Sequence, residues 1–85
     1  MNNVLGSIII LVDDRQRNAA ALNRLLTANG HLIITRLGVN VERKCLEKCS
    51  GLIILAVEGG KKEIETLAKQ IAALSGLSVK SCLFK

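Results

Sequence analysis

Cys45 and Cys49, four residues apart, are the pair in this chain best spaced for metal or redox chemistry. On one helical turn both thiols share a face, and Lys44 and Lys48 beside them favour the thiolate. A closed metal site takes three or four ligands, and His31 and Cys82 are the obvious further donors. The same spacing also lets Cys45, Leu46 and Cys49 pack as a small apolar face. The pair therefore carries two readings, a metal or redox sensor and a packing element. Cys82 itself reads as a buried small hydrophobe.

A second set surrounds Asp13-Asp14-Arg15, where an apolar run gives way to a helical pattern. A strand-to-helix turn presents free backbone N–H groups that suit an anion. Arg15 and Arg36 would add charge-assisted donors, and Gly38 is a further candidate. The two aspartates oppose an anion and would instead orient the arginines, or simply cap the helix. Other chemistry finds little support. Gly59-Gly60-Lys61-Lys62 has the wrong spacing for a phosphate loop and lacks the Ser or Thr that follows the lysine. His31 follows a helix stop and has no evident catalytic partner. With no nucleophile–base arrangement in view, the expectation is no enzyme and no cofactor.

These residues are carried by a simple succession of elements. Ser7–Val12 is β-branched and aliphatic, after a poorly structured lead-in over residues 1–6. Residues 15–29 place Ala19, Leu22, Leu25 and Leu26 at helical spacing, with Asn29-Gly30 as a C-terminal stop. His31–Val39 alternates as a strand. Residues 40–50 form a long polar hairpin connection, and Leu52–Val57 is a strand broken by Gly59-Gly60. Ile64, Leu67, Ala68, Ile71, Ala72 and Leu74 recur at helical spacing up to Ser75-Gly76. Leu77, Val79, Ser81 and Leu83 alternate on a last strand.

The order predicts an α+β, ferredoxin-like βαββαβ sandwich: a four-stranded antiparallel sheet in the order 4-1-3-2 with two helices on one face. The first and third strands are continuous apolar runs, as central strands should be, and the second and fourth alternate, as edges do. At 85 residues the chain has room for one domain.

Composition adds a constraint. Hydrophobic residues make up 49% of the chain, nearly all aliphatic, with one Phe and no Tyr or Trp. Both faces of the central strands are apolar, which leaves a greasy face after the helices cover the other. Pairing with a second subunit solves this, and Ile8, Ile10 and Val12 with Leu52, Ile54 and Ala56 are the expected interface. The apolar runs are too short to span a bilayer. Met1-Asn2-Asn3 shows no secretory signal and three cysteines suggest no disulfide framework, so a cytoplasmic location is expected. The net charge of +5 is scattered along the chain and interleaved with acids, which does not mark a nucleic-acid surface. The first and third strands also lack the aromatic rings on which RNA-binding members of this fold stack bases. The first strand-to-helix turn lacks the paired cysteines of a copper chaperone.

Val12-Asp13-Asp14-Arg15, Arg36-Leu37-Gly38-Val39 and Ala73-Leu74-Ser75-Gly76-Leu77-Ser78-Val79-Lys80 occur in an order and spacing that resembles the small proteins described as iron-only hydrogenase system regulators. The resemblance spans nearly the whole chain. It implies an ACT-like domain similar to the C-terminal sensing domain of the nickel-responsive repressor, self-assembly, and a role in regulating hydrogenase-related genes. This chain departs from the family in its cysteine-bearing connection after Val39 and in Lys69-Gln70-Ile71-Ala72. A single His31 does not match the repressor's metal set, and Asp13-Asp14-Arg15 stands where amino-acid-binding ACT domains carry Gly. The expectation is a self-associating regulatory or ligand-sensing domain acting through a partner that carries the DNA-binding or enzymatic function. A metal or redox sensor using Cys45 and Cys49, or a structural assembly module, are the alternatives.

Overall fold

Asn3–Val12 forms the first strand, β1, beginning four residues before the expected Ser7 and so taking in most of the segment expected as a lead-in. Leu5 is paired on both flanks, with Glu58 on one side and Phe84 on the other, and the pairing with β3 alone carries the strand on to Asn3 opposite Gly60. The computed structural model describes residues 3–12, 15–40 and 51–84, and the side chains of all of these except 15–18 and 39–40. After β1 come α1 (Arg15–Ala28), a 3-10 turn (Gly30–Leu32), β2 (Ile33–Asn40), β3 (Gly51–Gly60), α2 (Lys61–Ala72) and β4 (Leu77–Phe84). The expected hairpin connection lies outside the described residues, save Asn40 at the end of β2.

The strand order is β2-β3-β1-β4, with every neighbouring pair antiparallel. The two apolar runs are the central strands, as their patterns require. β1 and β3 pair without a break from Asn3↔Gly60 to Val12↔Gly51. The Gly59-Gly60 pair therefore does not end β3 at Val57. Gly59 is buried, and a Cβ there would stand 2.5 Å from Leu32 Cδ2, so the missing side chain makes room for the turn after α1. On the edge, β2 carries a bulge between Ile33 and Thr35 that leaves Ile34 exposed.

The core lies between the sheet and the helices. Ile8, Ile10 and Val12 of β1 and Leu55 and Val57 of β3 meet Leu22 and Leu26 of α1, Leu32 of the turn, and Ile64, Leu67 and Ile71 of α2. The helical residues stand at i, i+4 and i, i+3, i+7, one stripe per helix. Burial of each such aliphatic stabilises the fold by roughly 1.5–3 kcal/mol.

The ends of the helices differ from the sequence expectation in one respect. α1 stops at Ala28, but not by a left-handed Gly30. Asn29 closes it instead: its backbone N–H donates to the carbonyls of Leu25 and Leu26, both at 3.2 Å, and its side-chain Nδ2 donates to the Leu25 carbonyl at 2.9 Å. Gly30 then enters the 3-10 turn. Among the described residues the positive-φ glycine is Gly76, at φ 79°, just before β4, where a side chain would be strained.

Candidate functional site

The β1–α1 turn lies between Val12 and Arg15, at the end of the sheet where Gly51 begins β3 and Leu77 begins β4. Asp13 and Asp14 fall outside the described residues, and Arg15 is the first residue of α1. Arg36 pairs with Leu55, which pairs with Ile8, so Arg36 sits level with Ile8 rather than with Val12. Four residues along the strand and two strands across put its Cα about 16 Å from that of Val12. Gly38, level with Ile10, is nearer at about 12 Å by the same spacings. The sheet therefore spreads the expected ligand set, with Gly38 closer to the turn than Arg36. Arg36 is exposed, and Arg36→Ala should shift stability by less than about 0.5 kcal/mol in urea denaturation. A larger loss would show a partner for its guanidinium. Cys45 and Cys49 lie outside the described residues, and no group of metal-binding side chains assembles among the described ones.

His31 does acquire an acidic neighbour that sequence spacing concealed. Its Nε2 lies 3.6 Å from Glu63 Oε2, where the turn after α1 meets the first turn of α2. The pair edges an open cleft of about 310 Å3, which also involves Lys62, Thr66 and Gln70 above the buried Leu32. Both side chains are well exposed, 64% and 58%. At that exposure the pair is weak and orients little. His31→Ala should lower stability by less than about 0.5 kcal/mol, read as the urea midpoint.

The feature the sheet does assemble is its open face, opposite the helices. Paired residues of antiparallel strands point to the same side, so the register assigns the faces. Ile9 pairs with Ile54 and Leu11 with Leu52, and Leu37 extends the Ile54 row onto β2. Leu5 and Phe84 form a further row, and between them Thr35, Ala56, Ser7 and Cys82 form a row of small side chains. Leu5, Ile9, Leu11, Leu37 and Phe84 are exposed, Leu37 at 57% and Phe84 at 66%. Leu52, Ile54 and Ala56 are half-buried among them.

Two sequence expectations are corrected here. Ile8, Ile10 and Val12 are not on the same side as Leu52, Ile54 and Ala56. They are buried beneath the helices, and Ile9 and Leu11 take their place on the open face. Cys82 is exposed rather than buried, because its partner across the ladder is Ser7 of the open face.

Among the described residues the open face carries little charge: Glu58 and Lys80, one of each sign, are its ionisable residues apart from the Cys82 thiol. Arg24, Lys61, Lys62 and Lys69 are on the helices, and the register puts Arg36 on the helix side of the sheet. No described helix is long and apolar enough to cross a membrane.

Solved structures share this arrangement. An uncharacterized protein, TM1266 from Thermotoga maritima, superposes with a TM-score of 0.86 at 24% identity, over 99% of this chain and all of that one. A de novo designed protein, Foldit4, matches at 0.58 with 16% identity over 99% and 98% of the two chains. LarC2, the C-terminal domain of a cyclometallase involved in synthesis of the NPN cofactor of lactate racemase, matches at 0.53 with 16% identity, over 99% of this chain and 58% of that one. At these identities the likeness is one of fold. Among curated proteins no sequence matches significantly. A family model covers residues 4–81, nearly all of the ferredoxin-like unit described above. The chain thus belongs to the TM1266-like family, whose description reads "Iron-only hydrogenase system regulator, putative".

Proposed function

We propose that this chain is a non-catalytic regulatory subunit, working in the cytoplasm as a homo-oligomer and reaching an iron-only hydrogenase system through a protein partner. The family supports the regulatory role. The observation that carries the rest is the open sheet face, where Leu5, Ile9, Leu11, Leu37 and Phe84 stand exposed around Leu52 and Ile54. Contiguous apolar surface of this kind is a site of association rather than of chemistry. Its described residues gather no concentrated positive charge, which favours a protein over nucleic acid as the surface it meets. Any small ligand is placed at the β1–α1 turn, with Asp13, Asp14, Arg15 and Gly38 as candidates and Arg36 as the outlying one.

Sedimentation equilibrium at micromolar concentration tests the reading. A dimer or larger species is expected. A clean monomer over that range would remove self-association from the proposal.

A further inference from the structure

We infer that the open face of the sheet is covered by a second copy of this chain, stacked face to face on the residues of β2, β3 and β1, with β4 at the rim. This rests on the self-association proposed above and goes further in naming the surface and its occupant. The apolar residues are not spread evenly over the face. Leu37, Leu52, Ile54, Ile9 and Leu11 crowd the three strands toward the end where β1 leaves for α1. On the same rows β4 offers Ser78 and Lys80. An interface centred on the aliphatics keeps Lys80 in water, which is where a lysine ammonium belongs.

Size, charge and shape each favour a second copy. Four strands about 4.8 Å apart and eight residues at about 3.4 Å outline a face of roughly 500 Å2 in projection. That projection, before side-chain relief is counted, compares with the roughly 800 Å2 per partner that a stable interface buries. Charge decides between partners. The chain carries +5 overall, yet among the described residues of this face Glu58 and Lys80 balance. A second copy thus meets no like-charge field here, whereas an anionic membrane or a nucleic acid would be drawn to the helix side. Shape agrees. A pleated four-stranded face is the inner face of a β-sandwich, where two sheets pack about 10 Å apart with interdigitated side chains. The row of small residues, Thr35, Ala56, Ser7 and Cys82, lies as a trough between larger rows and can receive a ridge of the facing sheet. A two-fold pairing uses the same patch on both copies and closes at a dimer.

Sedimentation velocity over a dilution series, with circular dichroism on every variant, tests the assignment. Ile54→Lys and Leu37→Lys should each weaken the dimer on the order of 100-fold, since both copies lose an aliphatic and gain a charge at the centre. Lys80→Ala on the rim and Arg24→Ala on a helix should change it less than about 3-fold. Because a charged variant can fail to fold, Ile54→Cys in a Cys45→Ser, Cys49→Ser, Cys82→Ser background gives a second measurement. Its alkylation by a maleimide should be slower at high than at low protein concentration. An oligomer insensitive to both lysine variants, with concentration-independent alkylation, would overturn the face assignment and leave self-association standing. A wild-type monomer would overturn both. A monomer that pellets with phosphatidylglycerol vesicles, and loses this in Ile54→Lys, would replace the second copy with a membrane surface.

Discussion

Ile10→Lys is expected to leave the chain without a cooperative thermal transition, whereas Ile54→Lys, one strand away, should keep its secondary structure. Ile10 is fully buried on β1, paired with Ile53 and Val79, in the cluster formed with Ile64, Leu67 and Ile71. The substitution removes roughly 1.5–3 kcal/mol of apolar burial and places an ammonium where no buried acidic partner is found among the described residues. Even after the lysine shifts toward its neutral form, desolvation adds several kcal/mol. A domain of this size has roughly 4–13 kcal/mol in total, so the combined loss takes most or all of it. Ile54 is half-buried on the opposite face, and a lysine there reaches water once the face is uncovered. Circular dichroism melts of the two variants at equal concentration make the comparison. A cooperative melt near wild type for Ile10→Lys would show that the faces have been assigned the wrong way round.

Gly6→Val is the second large effect, and its cause is backbone proximity rather than loss of a contact. Gly6 is buried on β1 between Val57 of β3 and Leu83 of β4. A Cβ at this position would lie 2.5 Å from the Cys82 carbonyl oxygen, 2.5 Å from Leu83 Cδ2 and 3.0 Å from Leu83 Cα. The leucine methyl could turn aside. The carbonyl and Cα belong to the β1–β4 ladder, which pairs from Leu5↔Phe84 to Val12↔Leu77, and cannot yield without opening it. Elsewhere in a strand, replacing glycine gains about 0.5–1 kcal/mol through reduced chain entropy. Here the steric cost reverses the sign. Gly6→Ala should cost about 1–3 kcal/mol, and Gly6→Val, with two more methyls in the same space, should cost more. Urea denaturation gives the measure. A midpoint unchanged or raised in Gly6→Ala would mean that β4 sits farther from β1 than the ladder requires.

Much of the architecture is legible along the chain because it is local. Leu22 and Leu26, and Ile64, Leu67 and Ile71, repeat at the spacing that one buried helix face imposes. The unbroken aliphatics of residues 8–12 and 52–57 mark strands covered on both flanks, and both occupy the centre of the sheet. The family resemblance likewise rested on short contiguous motifs, and the family model bears it out over residues 4–81. The candidate ligand set was less legible, because Arg36 is brought level with Ile8 by strand register and not by any spacing within its own motif.

What the sequence by itself determined is the series of elements, which strands are central, and that the chain holds more aliphatic side chain than one face of a sheet can hide. Each follows from periodicity within a single segment. Only the tertiary structure decided which aliphatics are hidden. Ile8-Ile9-Ile10-Leu11 gives a strand two equally apolar sides, so nothing within β1 says which side the helices take. That choice is made between segments, when pairing Ile9 with Ile54 and Ile10 with Ile53 turns Ile8, Ile10 and Val12 toward Ile64, Leu67 and Ile71. A shift of one residue in that register would have exchanged the two faces of the strand, because side chains alternate with a period of two.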